Sequence, residues 1–199
     1  RSICCWCWRN KRHIVYHGNV AITQRLILSV RHSGTNFCKS FLNHNNANAK
    51  AQHFTDEIAS RALAGLLQSH LTVVPLVDPL QTIRSRYKRG YCDWQLQVDS
   101  WRRLLNAVKY RPHFLPIDLL SRKGTESRYD SLEVMAGHLE FRPDPQILKR
   151  WANEWPECSN GDDRTKGMIP DLTPMGDALR EVEGLVPFLR VQGYNLGWM

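Results

Sequence analysis

A short apolar run that ends in a turn constrains the fold more than any other part of the sequence. Residues 25–30 are rich in leucine and β-branched side chains, which is typical of a buried strand. Residues 31–36 are polar and contain Gly34, and Phe37 and Phe41 follow at helical spacing. Glycine lets the backbone approach a ligand closely, and the first amides of a helix are unpaired. The sequence therefore predicts a strand-to-helix junction that can bind an anion.

Side chains around this turn can add to the binding of an anion. Ser33, Thr35 and Asn36 carry hydrogen-bond donors, and Arg31 or His32 can supply positive charge. The spacing of a Walker A motif is absent. The alternative interpretation is an ordinary strand-to-helix turn that Ser33 or Thr35 caps.

Strand-like and helix-like segments alternate along the rest of the chain. Strand-like runs occupy residues 49–54, 71–76 and 113–117, and helical spacing recurs between them and after them. Pro116 favours either a position for the last strand at an edge of the sheet or a place for Pro116 at the end of that strand. This order predicts an α/β fold, with a central parallel sheet flanked by helices and a helical C-terminal third.

The domain organisation follows from periodicity and composition. Residues 1–24 are rich in Cys, Trp, Arg and His without clear periodicity and are interpreted as an N-terminal extension. Residues 25–199 are interpreted as a single domain, because no internal repeat or second core is visible. The loop at 43–48 and the Gly/Asp-rich loop at 159–167 separate helices.

The charge balance predicts an anionic partner. The formal net charge is +8, with a sequence pI near 9.4. Basic residues are densest at Arg84, Arg86, Lys88 and Arg89, inside a segment with folded character. This placement favours a local anion site over a nucleic-acid-binding arm; the alternative is a solvated helix face.

The six cysteines and the short apolar runs allow predictions about the cellular compartment and about membrane association. The cysteines lack the spacing of a disulfide framework, so a reducing, cytoplasmic environment is expected. No apolar run approaches the ~20 residues of a membrane helix, so no membrane partner is expected. Cys4, Cys7, His13 and His17 lie too close together for the usual zinc finger, and no metal site is predicted.

The Ser33-Gly34-Thr35 turn resembles the loop by which sulfotransferases hold the 5′-phosphosulfate of 3′-phosphoadenosine 5′-phosphosulfate (PAPS). The resemblance implies a P-loop three-layer sandwich and PAPS, or its product 3′-phosphoadenosine 5′-phosphate (PAP), as the cofactor. In that family Lys or Arg precedes the Ser-Gly-Thr and stabilises the bridging oxygen. Here His32 occupies that position and Arg31 precedes it, so the resemblance leaves both as candidates.

A second segment extends the resemblance. In the family, a strand is followed by an Arg and then by a helix that carries a Ser eight residues later, and the two side chains hold the 3′-phosphate. Ser85 stands eight residues after position 77, but position 77 is Val77. Arg84 and Arg86, next to Ser85, are the candidates to supply the missing charge, as are the other basic residues nearby.

His53 completes the resemblance. It ends a predicted strand at the place where cytosolic sulfotransferases carry their general base, and a histidine can accept a hydroxyl proton near neutral pH. The alternative is an ordinary half-buried histidine. Arg122-Lys123-Gly124 is similar to a cofactor-binding Arg-Lys-Gly of the family but comes too early in the chain, and is not assigned to the site.

These features support three alternative functions. The first is a sulfotransferase that moves a sulfuryl group from PAPS to a hydroxyl or amine. The second is a P-loop nucleotide kinase, for which Asp78 is a weak candidate to bind Mg²⁺. The third is a non-catalytic structural or assembly protein on the same fold, such as a virus would encode. The sequence carries no signature of the acceptor or of the oligomeric state.

Overall fold

Four parallel strands form one sheet in the computed structural model, which describes residues 24–54, 60–91, 93–155 and 170–199. The strand order is β2-β1-β3-β4, and every neighbouring pair is parallel. The strands are β1 (Arg25–Ser29), β2 (Lys50–His53), β3 (Leu71–Leu76) and β4 (His113–Pro116).

Helices connect and cover the strands. Within the described residues they are α1 (Thr35–His44), α2 (Ser60–Ser69), α3 (Pro79–Lys88), α4 (Gln95–Ala107), α5 (Ile117–Ser121), α6 (Thr125–His138), α7 (Pro145–Asn153), α8 (Thr173–Arg180) and α9 (Leu185–Val191), with a 3₁₀ turn at Val108–Tyr110 after α4. None of the helices in these ranges is long and apolar enough to cross a membrane.

Successive side chains of β1 point to opposite faces of the sheet, and the interior is therefore divided into two cores. Leu26 and Leu28 pack in one core with side chains of α2, α3, α4, α8 and α9, including the fully buried Trp101. Ile27 points to the other face and packs with α1, α5, α6 and α7, where Phe41 is fully buried. Burial of each such side chain contributes about 1.5–3 kcal/mol to folding. The chain therefore has three layers, and the predicted α/β fold with a central parallel sheet is confirmed.

The predicted elements correspond closely to the observed ones. All four predicted strands are present, and β4 lies at an edge, as Pro116 indicated. Asp78 caps α3 by accepting a hydrogen bond from the Leu80 amide at 2.9 Å, with Pro79 in the first turn. Residues 43–48 were expected to be a loop, but α1 continues to His44 before the chain turns.

Two helices were not predicted. α5 is too short for a periodic pattern to be visible, and α9 contains Pro187. Pro187 is tolerated because it lies in the first turn, where a backbone N–H has no helical partner. The loop at 159–167 and most of the N-terminal extension lie outside the described residues, and the division into an extension and a single domain stays a prediction.

The C-terminal segment is fastened to the sheet through two buried carboxyl groups. Asp118 Oδ2 accepts the Asp78 amide at 2.9 Å, and Asp118 Oδ1 accepts the Tyr194 hydroxyl at 2.5 Å. Trp198 Nε1 donates to Asp78 Oδ1 at 3.1 Å. Asp78 follows β3 and Asp118 follows β4, so these bonds join the ends of two neighbouring strands to the end of the described chain.

Replacement of Tyr194 by Phe tests this connection. We expect Tyr194→Phe to lower the free energy of unfolding by about 1–3 kcal/mol, because the buried Asp118 Oδ1 loses its hydroxyl donor and keeps only the Leu119 amide at 3.1 Å. Urea denaturation measures this change. Tyr110→Phe is the control, since the structure shows no hydroxyl hydrogen bond for Tyr110 within the described residues. Equal losses in the two variants would contradict the assigned role of the Tyr194 hydroxyl.

Candidate functional site

A cleft of about 1090 Å³ opens at the carboxyl ends of the strands. From β1 the chain passes to β2 on one side, and β3 pairs with β1 on the other side. Ligands of open α/β sheets bind at such a reversal of strand order, outside the carboxyl ends of the strands. The turn after β1, the end of β2, helix α3 and helix α5 all contribute to the wall of the cleft.

The turn between β1 and α1 has an unusual backbone. His32 and Gly34 both adopt left-handed conformations, with φ of 67° and 93°. Gly34 is the N-cap of α1, and no side chain caps this helix. The first amides of α1 therefore have no side-chain acceptor, which excludes the interpretation of an ordinary turn capped by Ser33 or Thr35. Gly34, Thr35 and Asn36 line the cleft.

Ser33 differs from the expectation that its side chain faces an anion. It is fully buried, and its hydroxyl donates to the Val30 carbonyl at 2.5 Å. The Ser33 amide bonds the same carbonyl at 3.2 Å. Ser33 therefore closes the turn against the end of β1, and its expected side-chain donation to a ligand is not met in this arrangement.

Basic side chains dominate the lining of the cleft. They are Arg31, Arg84, Arg86, Lys88, Arg89 and Arg122. Among the described residues, none of these six forms an ion pair with a carboxylate. The acidic residue in the lining is Asp118, whose carboxyl oxygens are occupied by Asp78 and Tyr194. The cleft thus has a strong excess of positive charge.

Arg86 is the most constrained of these cations. Only 6% of its surface is exposed, and its guanidinium lies 5.2 Å from the centre of the Tyr91 ring. Within the described ranges, Arg86 Nε is buried without a hydrogen-bond partner. A buried charged donor without a partner is costly, because removal from water is not compensated. An anionic ligand in the cleft would supply the missing acceptor.

His32 is held by a neighbouring arginine. Arg89 Nη1 lies 2.6 Å from His32 Nδ1, and because a guanidinium can only donate, Nδ1 is the acceptor. The ring proton is then on Nε2. Burial lowers the pKa of His32 to about 4, and the charges of Arg89 and Arg86 act in the same direction. His32 is therefore a neutral donor near pH 7.

His53 lies at the end of β2 and lines the same cleft. Its Nδ1 is 2.9 Å from Ser29 Oγ, and Ser29 Oγ is 2.6 Å from Thr35 Oγ1. Burial lowers the pKa of His53 below its ordinary value, and the charge of Arg31 has the same effect. Among the described residues, His53 Nε2 has no hydrogen-bond partner. A neutral imidazole with one unengaged nitrogen can act as a general base.

The second predicted segment meets the first in this cleft. Val77, Arg84 and Ser85 all line it, as does Arg86 on the same helix. Val77 is buried and brings no charge. The predicted site residues other than Ser33 are thus together in one cleft, and their roles stay predictions.

Several lining residues were not predicted from the sequence. Arg122 was set aside because of its place in the chain, yet α5 brings it to the cleft directly after β4. Gln81, Tyr91, Asp118 and Ser121 also line the cleft. The signal for Arg122 was its position just after a strand, since parallel strands end at one edge of the sheet.

No cluster of metal ligands accompanies the cleft. The described residues contain no group of three or more His, Cys, Asp or Glu side chains placed to hold a metal ion. The cysteines and histidines of the N-terminal segment, Cys4, Cys7, His13 and His17, lie outside the described residues.

The fold and the cleft define an open parallel α/β protein with a cleft rich in basic side chains at the carboxyl edge of its sheet. No family model matches the chain, and no curated protein sequence matches it. Among solved structures, the chain is similar to mouse sulfotransferase SULT7A1 complexed with PAP, at 11% sequence identity. The match has a TM-score of 0.47 and covers 86% of this chain and 81% of the mouse protein.

Gly34→Ala tests the backbone of the turn. A Cβ at Gly34 would overlap Ile117 Cδ1 and would also require a left-handed alanine, which costs about 1–2 kcal/mol. Gly184 is a matched control, because it is also a left-handed N-cap, with φ of 80°, but has open space around its Cα. We expect Gly34→Ala to lower the free energy of unfolding more than Gly184→Ala does in urea denaturation.

The difference between Gly34→Ala and Gly184→Ala in free energy of unfolding should disappear when Ile117 is also replaced by Ala. The overlap with the new Cβ depends on the Ile117 side chain, whereas the cost of a left-handed alanine does not. The comparison is therefore made in both backgrounds, wild type and Ile117→Ala. A difference between the two glycine variants that persists without the Ile117 side chain would contradict the close packing of α5 on the turn.

The histidines of the cleft should make stability depend on pH. Because the folded-state pKa of His32 is about 4 and the unfolded value about 6.5, the unfolded chain binds more protons between these values. Stability is then complete above about pH 6.5 and decreases as the pH falls toward 4. We expect His32→Asn to reduce the slope of the free energy of unfolding against pH. Asparagine is chosen because it tolerates a left-handed φ. The reduction should be less than about 1.4 kcal/mol per pH unit, since a half-buried group is partly screened by solvent.

Urea denaturation at a series of pH values measures the slope. His53 and His113, whose pKa values are also lowered by burial, leave a residual dependence in the variant. An unchanged slope in His32→Asn would contradict the burial of an uncharged ring at this position.

Proposed function

We propose that the cleft binds PAPS and that the protein transfers its sulfuryl group to a hydroxyl or amine acceptor. The observation that carries the proposal is the buried Arg86, whose Nε has no hydrogen-bond partner among the described residues. It lies in a cleft of cations without carboxylate partners, next to an uncapped helix and a neutral His53. Such a site requires a ligand with several negative charges and offers a base to a neutral acceptor.

The two parts of the cleft match the two ends of this donor. The first amides of α1 and the side chains of Thr35 and Asn36 would hold the 5′-phosphosulfate. Ser85 and Arg86, one turn or more into α3, would hold the 3′-phosphate. Arg86 would then supply the charge that Val77 does not, by a charge-assisted hydrogen bond that contributes about 1.5–3 kcal/mol.

In the proposed transfer step, His53 acts as the base and His32 as a hydrogen-bond donor. His53 Nε2 takes the proton of the acceptor hydroxyl while the acceptor oxygen forms a new bond to sulfur. The bond between sulfur and the bridging oxygen breaks, and PAP leaves with that electron pair. His32 Nε2–H donates to the bridging oxygen as its charge develops, and Arg31 adds positive charge nearby. Positioning and electrostatics supply most of the catalysis, as in phosphoryl transfer.

A kinase is the less favoured alternative. Neither Asp78 nor Asp118 is available as a simple metal ligand, because Asp78 caps α3 and accepts from Trp198, and Asp118 accepts from the Asp78 amide and Tyr194. The turn also lacks the lysine that reaches the nucleotide phosphates in P-loop enzymes. Sulfuryl transfer requires neither a metal-binding carboxylate nor this lysine.

The test combines binding with turnover. PAP should raise the melting temperature of the wild type, since a ligand at 100 times its Kd stabilises the fold by about 2.7 kcal/mol. Arg86→Met should weaken PAP binding by roughly 10- to 100-fold in calorimetry. Arg102→Met is the matched control, because Arg102 pairs with Asp99 on α4, outside the cleft.

Turnover is measured as transfer of ³⁵S from labelled PAPS to a panel of phenols, alcohols, sugars and amines. His53→Ala should keep PAP binding and lose about 10²- to 10⁴-fold in rate. Absence of a melting shift at millimolar PAP would overturn the proposal, and a larger shift with ATP and Mg²⁺ would favour the kinase. Binding of PAP without transfer to any acceptor would favour a non-catalytic role.

A further inference from the structure

Ser29 is a polar residue in a place that an apolar residue would normally occupy. It is fully buried at the end of β1, after Leu26, Ile27 and Leu28, which are also fully buried. Its hydroxyl lies 2.6 Å from Thr35 Oγ1 and 2.9 Å from His53 Nδ1; its remaining contact, to the Gln52 carbonyl at 3.5 Å, is at the limit of a hydrogen bond. Ser29 thus joins the anion-binding turn to the histidine of β2.

The three groups have a limited number of protons between them. A serine hydroxyl donates one hydrogen bond and accepts up to two, as does a threonine hydroxyl. A neutral imidazole carries its proton on either Nδ1 or Nε2. The hydrogen bond made by one of these nitrogens determines which of the two is protonated. The direction of the Ser29 hydroxyl therefore favours either acceptance or donation by His53 Nδ1, beside a hydrogen bond of His53 to the Ser29 backbone that raises the pKa of the ring.

Occupancy of the turn by an oxyanion fixes that direction. Thr35 lies in the first turn of α1 and lines the cleft, so its hydroxyl donates to an anion bound there. Thr35 Oγ1 is then left as an acceptor for the Ser29 hydroxyl, and Ser29 Oγ becomes an acceptor for His53 Nδ1–H. The lone pair of His53 is now on Nε2, the nitrogen without a described partner. Without an anion, Thr35 can donate to Ser29 and Ser29 to His53 Nδ1, which places the proton on Nε2.

We propose that Ser29 is a positioning residue that couples oxyanion binding at the turn to the base-competent tautomer of His53. The change needs no net proton, because water removes the proton from Nε2 and returns one to Nδ1 while two hydroxyls rotate. The role of His53 as the base rests on the proposed function. The coupling itself requires only an oxyanion at the turn. It makes the base available when the donor is bound and blocks it when the turn is empty.

The experiment reads the tautomer directly, by NMR of the full chain with ¹⁵N-labelled histidine side chains. His53→Gln assigns the His53 signals. The probes are PAP and, separately, inorganic pyrophosphate, and binding of each is measured in parallel by calorimetry. We expect either probe to cause loss of the Nε2–H tautomer of His53 and gain of the Nδ1–H tautomer in the wild type.

Ser29→Ala should bind the probes and show no such change, whereas Ser29→Cys, which restores a weak donor and acceptor, should recover part of it. Thr72→Val is the matched control, because it removes a buried strand hydroxyl on β3, where Thr72 bonds the His70 carbonyl away from the cleft. This variant should respond as the wild type does.

The outcomes separate the two proposals. Binding of a probe with an unchanged His53 tautomer overturns the coupling and leaves the proposed function in place. A change with pyrophosphate but no binding of PAP supports the coupling and overturns the choice of cofactor. No binding of either probe overturns both, and a response of Ser29→Ala equal to that of the wild type overturns the role of Ser29.

Discussion

The hydrogen bonds of the buried Asp118 carboxyl group are the interaction on which the arrangement of the cleft depends. They join Asp78, the residue directly before α3, to Tyr194 near the end of the described chain. Asp118 itself lies in α5, whose Ile117 packs directly against Gly34 of the turn. The start of helix α3 and the C-terminal segment are thereby joined through the Asp118 carboxyl group, and the neighbouring Ile117 holds α5 against the turn between β1 and α1.

The Asp118 carboxyl group is occupied by the Asp78 amide and the Tyr194 hydroxyl, which explains why the cleft keeps its excess of positive charge. Carboxylates are the ordinary partners of buried arginines, but the acidic residues closest to the cleft are committed to backbone and indole or phenol donors. The repulsion between the cations, together with the unsatisfied Nε of Arg86, is a cost to the folded state without a ligand. Binding of an anion would reduce that cost, so an anion that occupies the cleft should stabilise the fold.

The sequence predicted the parts of the structure that depend on local patterns. The strand before Gly34, the Asp78-Pro79 helix start and the edge position of the strand with Pro116 are all decided by nearby residues, and all were confirmed. Helix α5 could not be predicted, since five helical residues give no period. Arg122 was missed because it was judged by the order of motifs along the chain, and not by its position shortly after a strand that ends at the cleft. The inward direction of the Ser33 hydroxyl depends on the Val30 carbonyl, which a sequence motif does not specify.

The cations of the cleft also decide how well its histidines can work as bases. Burial lowers the pKa of His53, and the charge of Arg31 lowers it further, which keeps the ring neutral but makes it a weak acceptor of protons. A bound polyanion would offset the positive charge of Arg31 and so raise the pKa of His53, while burial of the ring would continue to lower it. A base with a pKa near the working pH is the most effective one. If the proposed function holds, the arginines that would bind the donor also lower the basicity of His53 before the donor binds, and hydrogen bonding through Ser29 would then leave the lone pair on Nε2.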